Sequence, residues 1–168
     1  MRTFLAALLL CGASMLCGCP PGQQAVGPAP PAPVDVVDSV NLWVRPTAMN
    51  WDDQPGPDGV QVQVYFFRRD DEHKLPLTVS GSVDMILYEG NVKRSEISSA
   101  KPFHTWRFSP AQMKGFLARG MVGWCYTLTL PWGTNAPRAD TVPLTARSTA
   151  PAGATLHAAP ASISLGPT

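Results

Sequence analysis

The chain has 168 residues, of which 15% are charged, and its 13 basic and 12 acidic side chains nearly cancel. A chain of that length is expected to form one domain. Near-neutrality without a basic cluster excludes the electrostatic footprint needed for nucleic acid and for holding an anionic membrane surface by charge alone.

Residues 1–18 read as a secretory leader. Arg2 precedes an apolar run from Phe4 to Leu10 and the small residues Gly12, Ala13 and Ser14. That layout is too short to remain in a bilayer as a spanning helix. The stretch ends Leu16-Cys17-Gly18-Cys19. An aliphatic residue, a small one, glycine and then cysteine is similar to the lipobox of bacterial lipoproteins. The resemblance implies cleavage before Cys19 and attachment of diacylglycerol to its sulfur through a thioether. Acyl chains contribute ~0.8 kcal/mol per buried methylene, so two or three of them hold firmly. Residue 20 is proline. In well-studied double-membrane bacteria an aspartate there retains lipoproteins in the inner membrane. The resemblance therefore implies outward sorting, to an outer membrane facing the periplasm or the cell surface.

Cleavage leaves two cysteines, the acylated Cys19 and Cys125. No internal disulfide can then form, and the domain must stand on its hydrophobic core. Residues 19–38 are expected to be the lipidated cysteine and a proline-rich stalk. Residues 20–34 carry six prolines and no charge, a composition that favours polyproline II over a packed fold. At ~3.1 Å per residue, such a stretch reaches at most roughly 45 Å. The PxxP spacing of Pro30 and Pro33 follows from the same composition.

The folded domain is expected over 39–168. In 60–67, Val60, Val62, Val64 and Phe66 alternate with Gln61, Gln63 and Tyr65, the pattern of a strand with one wet face. Val79, Val83, Met85 and Leu87 repeat it over 79–88. Trp124, Tyr126, Leu128 and Leu130 repeat it over 124–130. Weaker strands are expected at 40–48, 103–108, 141–147 and 154–165. A turn at Ala150-Pro151-Ala152-Gly153 joins the last two. Ser109-Pro110-Ala111-Gln112 is a capping box with proline at the first helical position. Met113, Phe116 and Leu117 follow at helical spacing before Gly120, so one short helix is expected near 110–119. The sum is a mainly β chain: an antiparallel, immunoglobulin-like β-sandwich of about seven strands. Its core should contain Val62, Val64, Val83, Met85, Leu87, Trp124, Tyr126, Leu128 and Leu130.

The chemistry-bearing residues are sparse. Val79-Ser80-Gly81-Ser82 lies in a strand pattern and lacks the turn of a nucleophile elbow. His73, His104 and His157 are far apart, and His73 sits in the charged run Arg68 to Lys74, which reads as a solvated hairpin loop. Cys125 reads as a semi-buried small residue. The metal candidate is calcium at Asn50, Asp52, Gln54 and Asp58, whose alternation lets a loop aim several oxygens at one ion. Gln61 stands where an EF-hand carries its bidentate glutamate, and Asp, Asn, Pro and Gly are equally what a connection between strands requires. Of the five tryptophans, Trp51 and Trp132 lie beside turns and are candidates for exposed sugar-stacking faces; Trp124 has the phase of a core position.

Residues 40–165 resemble a domain of unknown function that recurs in envelope proteins of planctomycete bacteria. The shared elements are the turn Asp52-Asp53-Gln54-Pro55-Gly56-Pro57-Asp58-Gly59 before Val60, and Leu87-Tyr88-Glu89-Gly90 at a strand end. Trp106-Arg107-Phe108, Leu130-Pro131-Trp132 and Ala146-Arg147 complete them. The resemblance implies a fold and no active site. Asn50 to Phe66 also resembles the turn and Val-rich strand of lipid-anchored β-sandwich subunits of type VI secretion.

The expected function is therefore a lipid-anchored, non-enzymatic envelope module without a cofactor, bound to the membrane through Cys19 and presenting its sandwich to another envelope protein. The alternative is a carbohydrate-binding or hydrolytic lipoprotein of the cell surface. Replacing Cys19 by serine should leave an unprocessed precursor that no longer partitions into detergent. Normal cleavage and partitioning of that variant would show that the lipid is elsewhere.

Overall fold

The alternation that is clearest in the sequence organises the first sheet. The computed structural model describes residues 29–69, 75–90, 92–93, 95–97 and 99–165. The leader, Cys19, residues 20–28 and the run Asp70 to Lys74, with His73, lie outside the described residues. Val60, Val62, Val64 and Phe66 of β2 (Gly59–Phe67) face inward and are fully buried. β2 pairs with β1 (Ser39–Val44) on one side and β6 (Gly123–Pro131) on the other, and β6 pairs with β5 (Leu117–Gly120). The second sheet runs β4 (His104–Phe108), β3 (Ser82–Leu87) and β7 (Thr141–Thr149). Both β8 (Thr155–His157) and β9 (Ala161–Ser164) lie on the far side of β7.

Every strand pairing is antiparallel. The order β1-β2-β6-β5 matches the ABED sheet of a constant-type immunoglobulin domain. β3-β7-β8 matches its CFG sheet, with β4 added as a further edge. The expected immunoglobulin-like sandwich is thus present, with nine strands where about seven were read from the sequence.

The two additional strands have local causes. The helix is α1 (Pro110–Gly115), shorter than the expected 110–119. Its start is as read: Ser109 Oγ accepts from the Gln112 N–H, and the Gln112 side chain accepts from the Ser109 N–H at 2.9 Å. Its end differs because Leu117–Gly120 gains a full ladder with β6 that outweighs another helical turn. Gly120 is therefore a hairpin residue and not a helix stop. Gly123, at φ +136°, completes that hairpin in a conformation that side chains disfavour. The strand expected at 154–165 is divided at Ala158–Pro160, where Pro160 has no N–H to give to the ladder.

Each expected core residue is buried except Trp124, which sits at the start of β6, half-buried beneath Arg119 at 5.1 Å. Met113 of α1 and Ile163 of β9 join the core from outside the two main patterns. Phe66 and Tyr126 meet edge-on at 5.7 Å. The Tyr126 hydroxyl accepts from the Val79 N–H at 2.9 Å, so a core ring also pins the segment that crosses between the sheets. Val79 is consequently not part of β3. It pairs with Val34, while Leu77 pairs with Phe66 in the first sheet.

That pairing places chain N-terminal to Ser39 against the domain. The Val34 N–H donates to Thr78 O at 2.9 Å, the Ser80 N–H to Val34 O at 3.1 Å and the Asp38 N–H to Phe67 O at 2.8 Å. Thr78 Oγ1 donates to Pro31 O at 2.8 Å. A stalk free up to residue 38 does not describe residues 31–38, because their backbone groups satisfy those of the 78–80 crossover. Farther on, residues 46–48 leave β1 and pair in parallel with β9, with Ala48 N–H donating to Ser164 O at 2.8 Å. This covers a sheet edge that would otherwise offer open hydrogen-bonding groups.

A chain beginning at Ser39 loses the 31–38 bonds and should be less stable by about 1–3 kcal/mol in urea denaturation, at roughly 0.5–1.5 kcal/mol per net bond. An unchanged midpoint would mean that the segment adds nothing. Burial also raises the Tyr126 hydroxyl above its ordinary 10.0, with the Val79 hydrogen bond acting in the opposite direction. A folded value above the unfolded one gives stability that is complete below about pH 10 and lost as pH rises through the folded value. Tyr126→Phe should therefore flatten the alkaline fall in stability above about pH 10.

Candidate functional site

The outward faces of β4, β3, β7 and β8 carry a row of charge. In register, Arg107 stands opposite Asp84, Asp84 opposite Arg147, and Arg147 opposite His157. Arg147 donates to Asp84 Oδ2 at 2.5 Å. Arg107 has no hydrogen-bond or ion-pair partner among the described residues. The next row, Thr105, Ile86 and Thr145, lies deeper. Ile86 and Thr145 are buried although they face away from the core.

Two loops cause that burial. Residues 95–97 and 99–102 fold over Tyr88, whose hydroxyl donates to Ile97 O at 3.2 Å. On the other side, Thr145 Oγ1 donates to Ala158 O at 2.8 Å and holds 158–160 against the sheet. Between them is a cleft of about 500 Å³ with Ile86, Thr105 and Thr145 at its floor and Arg107, Arg147 and His157 at its mouth. That volume lies in the range of small-molecule and side-chain binding sites. Burial raises the Tyr88 hydroxyl, and the positive charge of Arg147 lowers it in part.

Thr145 is already committed to Ala158 O, and no thiol lies in the lining. His104, from the sequence analysis, stacks on Trp106 at 4.2 Å. Cys125 is buried on the outer face of the first sheet, with its sulfur 3.9 Å from Thr127 Oγ1. Above it, the Tyr65 hydroxyl is raised first by burial and then by Cys125. Among the described residues no three His, Cys, Asp or Glu side chains converge as ligands.

The acidic loop 50–59 uses its oxygens on itself. Asn50 Oδ1 accepts from the Asp52 N–H at 3.0 Å, Asp52 Oδ1 from the Gln54 N–H at 2.8 Å, and Asp58 Oδ2 from the Trp51 N–H at 2.5 Å. The candidate calcium ligands Asn50, Asp52 and Asp58 therefore serve as Asx-type braces. Gly59 is required where the Trp51 ring and Leu130 O leave no room for a side chain. Trp132, a candidate for exposure, is instead buried, and its indole N–H donates to Pro57 O at 2.8 Å. Trp43 and Trp51 remain exposed, Trp43 beside Gln61 and Gln63 in a shallow groove of about 250 Å³.

Arg107 and Arg147 belong to the segments Trp106-Arg107-Phe108 and Ala146-Arg147, but nothing in their spacing shows that they share a face. That requires the β4-β3-β7 register. The fold is an immunoglobulin-type sandwich with a cleft lined by side chains on the outer face of its second sheet. No protein-family description, curated protein or solved structure matches the chain.

Asp58→Ala should loosen the loop, seen as faster amide exchange at Trp51 with the core unchanged. Millimolar calcium should leave the melting temperature of the parent protein in place. A calcium-induced rise that Asp52→Asn removes would make the loop an ion site.

Proposed function

We propose that the protein is a lipid-anchored, non-enzymatic module of the bacterial cell envelope that binds a partner protein through the cleft on its second sheet. The observation that carries the reading is Arg107, which has no ion-pair partner among the described residues and stands at the mouth of a cleft where Tyr88, Thr145 and Arg147 are already hydrogen-bonded. A guanidinium without such a pair is available to meet a charge on a partner, and arginines recur as anchors in interfaces. The lipobox-like Leu16-Cys17-Gly18-Cys19 supports the anchor, and with it the location at an outer membrane facing the periplasm or the surface. A second reading, as a sugar-binding lipoprotein, is favoured by the exposed Trp43 ring beside Gln61 and Gln63, since an aromatic face with flanking amides suits a sugar ring.

A photo-reactive residue in place of Thr105 should give a discrete cross-linked protein in envelopes that carry the full chain. Arg107→Glu should remove it, while Trp43→Ala should not. Loss with Trp43→Ala alone, together with retention on a polysaccharide matrix, would favour the sugar reading. Turnover in a broad hydrolase screen that disappears with His157→Ala would overturn the non-enzymatic assignment.

A further inference from the structure

Six large apolar side chains are exposed among the described residues, and four of them gather at one end of the sandwich. They are Val36 at 59%, Leu75 at 67%, Met121 at 89% and Val122 at 42%. Pairing fixes their common place. Val36 lies between Val34, bonded to Thr78 and Ser80, and Asp38, bonded to Phe67. Leu75 is two residues before Leu77, which pairs with Phe66. Met121 and Val122 are the tip of the β5–β6 hairpin, whose Gly123 lies beside Pro76. The turn 150–154, which follows Thr149 opposite Ser82, is at this end too and carries no charge. The opposite end bears Asp52, Asp53, Asp58, Glu89, Arg138 and Asp140 on its loops.

Single exposed apolar residues are ordinary, whereas a gathering at one end asks for something to cover it. A two-residue hairpin tip normally takes Asn, Asp or Gly, so Met121-Val122 is not the choice that turn geometry or water would make. Among the described residues, the carboxylates at this end are held by the fold: Asp38 accepts from the Arg69 N–H at 2.7 Å, and Asp35 accepts from the Ser80 hydroxyl; the charged run Asp70 to Lys74 lies outside the described residues. Arg68, Arg69 and Arg119 stand near the apolar residues in sequence, as basic side chains do at a bilayer interface.

We propose that this end of the sandwich rests on the lipid bilayer, with Met121, Val122 and Leu75 entering the interfacial layer. The inference rests on the lipoprotein reading above. The course of the chain selects a bilayer over other occupants. Pro31 and Val34 are bonded to 78–80 at this same end, so only residues 20–30 separate it from Cys19. Fully extended they reach about 35 Å, and on average less. The anchor thus holds this end within reach of the membrane at high effective concentration, and a few apolar side chains too weak to bind a bilayer alone suffice once tethered. The acidic loop 50–59 then points away from the membrane, and the Arg107 cleft opens to the side.

The full lipidated chain carrying Met121→Cys or Thr134→Cys, each labelled with bimane, tests this in vesicles of phosphatidylethanolamine and phosphatidylglycerol containing a brominated phospholipid. Cys19 is blocked by its thioether and Cys125 is buried, so the label goes to the introduced thiol. The expected result is severalfold stronger quenching and a blue shift at position 121 relative to 134, with both chains floating with the vesicles. Floating chains quenched equally weakly at both positions overturn the inference and leave the anchor in place. Chains that stay in the supernatant overturn the anchor and the inference together. Unquenched label at 121 with disulfide cross-linking between unlabelled Met121→Cys chains assigns this end to a second copy, which also overturns the bilayer.

Discussion

A single layer of apolar side chains between two sheets holds this fold together, with no covalent link across it among the described residues. Cys125 is free and lies on the outer face of the first sheet, away from that layer. Val60, Val62 and Val64 of β2 and Leu128 and Leu130 of β6 meet Val83, Met85 and Leu87 of β3 and Val142, Leu144 and Ala146 of β7. At full burial each such side chain contributes about 1.5–3 kcal/mol. A one-residue slip in any of these four strands would turn its apolar set to water. The core therefore fixes the register, and the register fixes which residues meet on the outside.

The cleft is a direct product of that constraint. Arg107, Asp84, Arg147 and His157 share a row because Val83, Met85, Phe108 and Ala146 face the other way. The loop at the far end has a different origin. Trp132 closes the core there, and its indole and backbone N–H groups both bind 57–58, so the acidic loop is fastened to the core's lid. Its carboxylates brace a turn, whereas Arg107 in the cleft has no ion-pair partner among the described residues. Similar residue types thus serve opposite ends through their surroundings.

Strands whose alternation is complete within themselves were legible in the sequence. β2, β3 and β6 could be read because inward and outward positions differ chemically at each step, and Ser109 and Gln112 announced the helix start without tertiary help. β5 was not legible. Leu117-Ala118-Arg119-Gly120 continues a helical pattern, and only the neighbouring β6 ladder makes it a strand. Trp132 and Trp124 exchanged their expected surroundings because a tryptophan's burial depends on what lies across from it. The 31–38 segment was read by composition as a spacer, yet composition cannot show that Thr78 and Ser80 supply partners to its backbone. The alternation of Asn50, Asp52 and Asp58 places several oxygens on one loop, but whether they face an ion or backbone N–H groups is decided by turn dihedrals that residue types leave open.

The bonds of Pro31 and Val34 to the 78–80 crossover also have a mechanical meaning. Any tension applied through the chain at residue 29 meets these contacts before it reaches the β1–β2 ladder. They are few, lie at the periphery and are replaceable by water, so they yield first and release several residues of chain while both sheets remain intact. Under the proposed anchor at Cys19, these contacts give a short sacrificial slack between the lipid and the core.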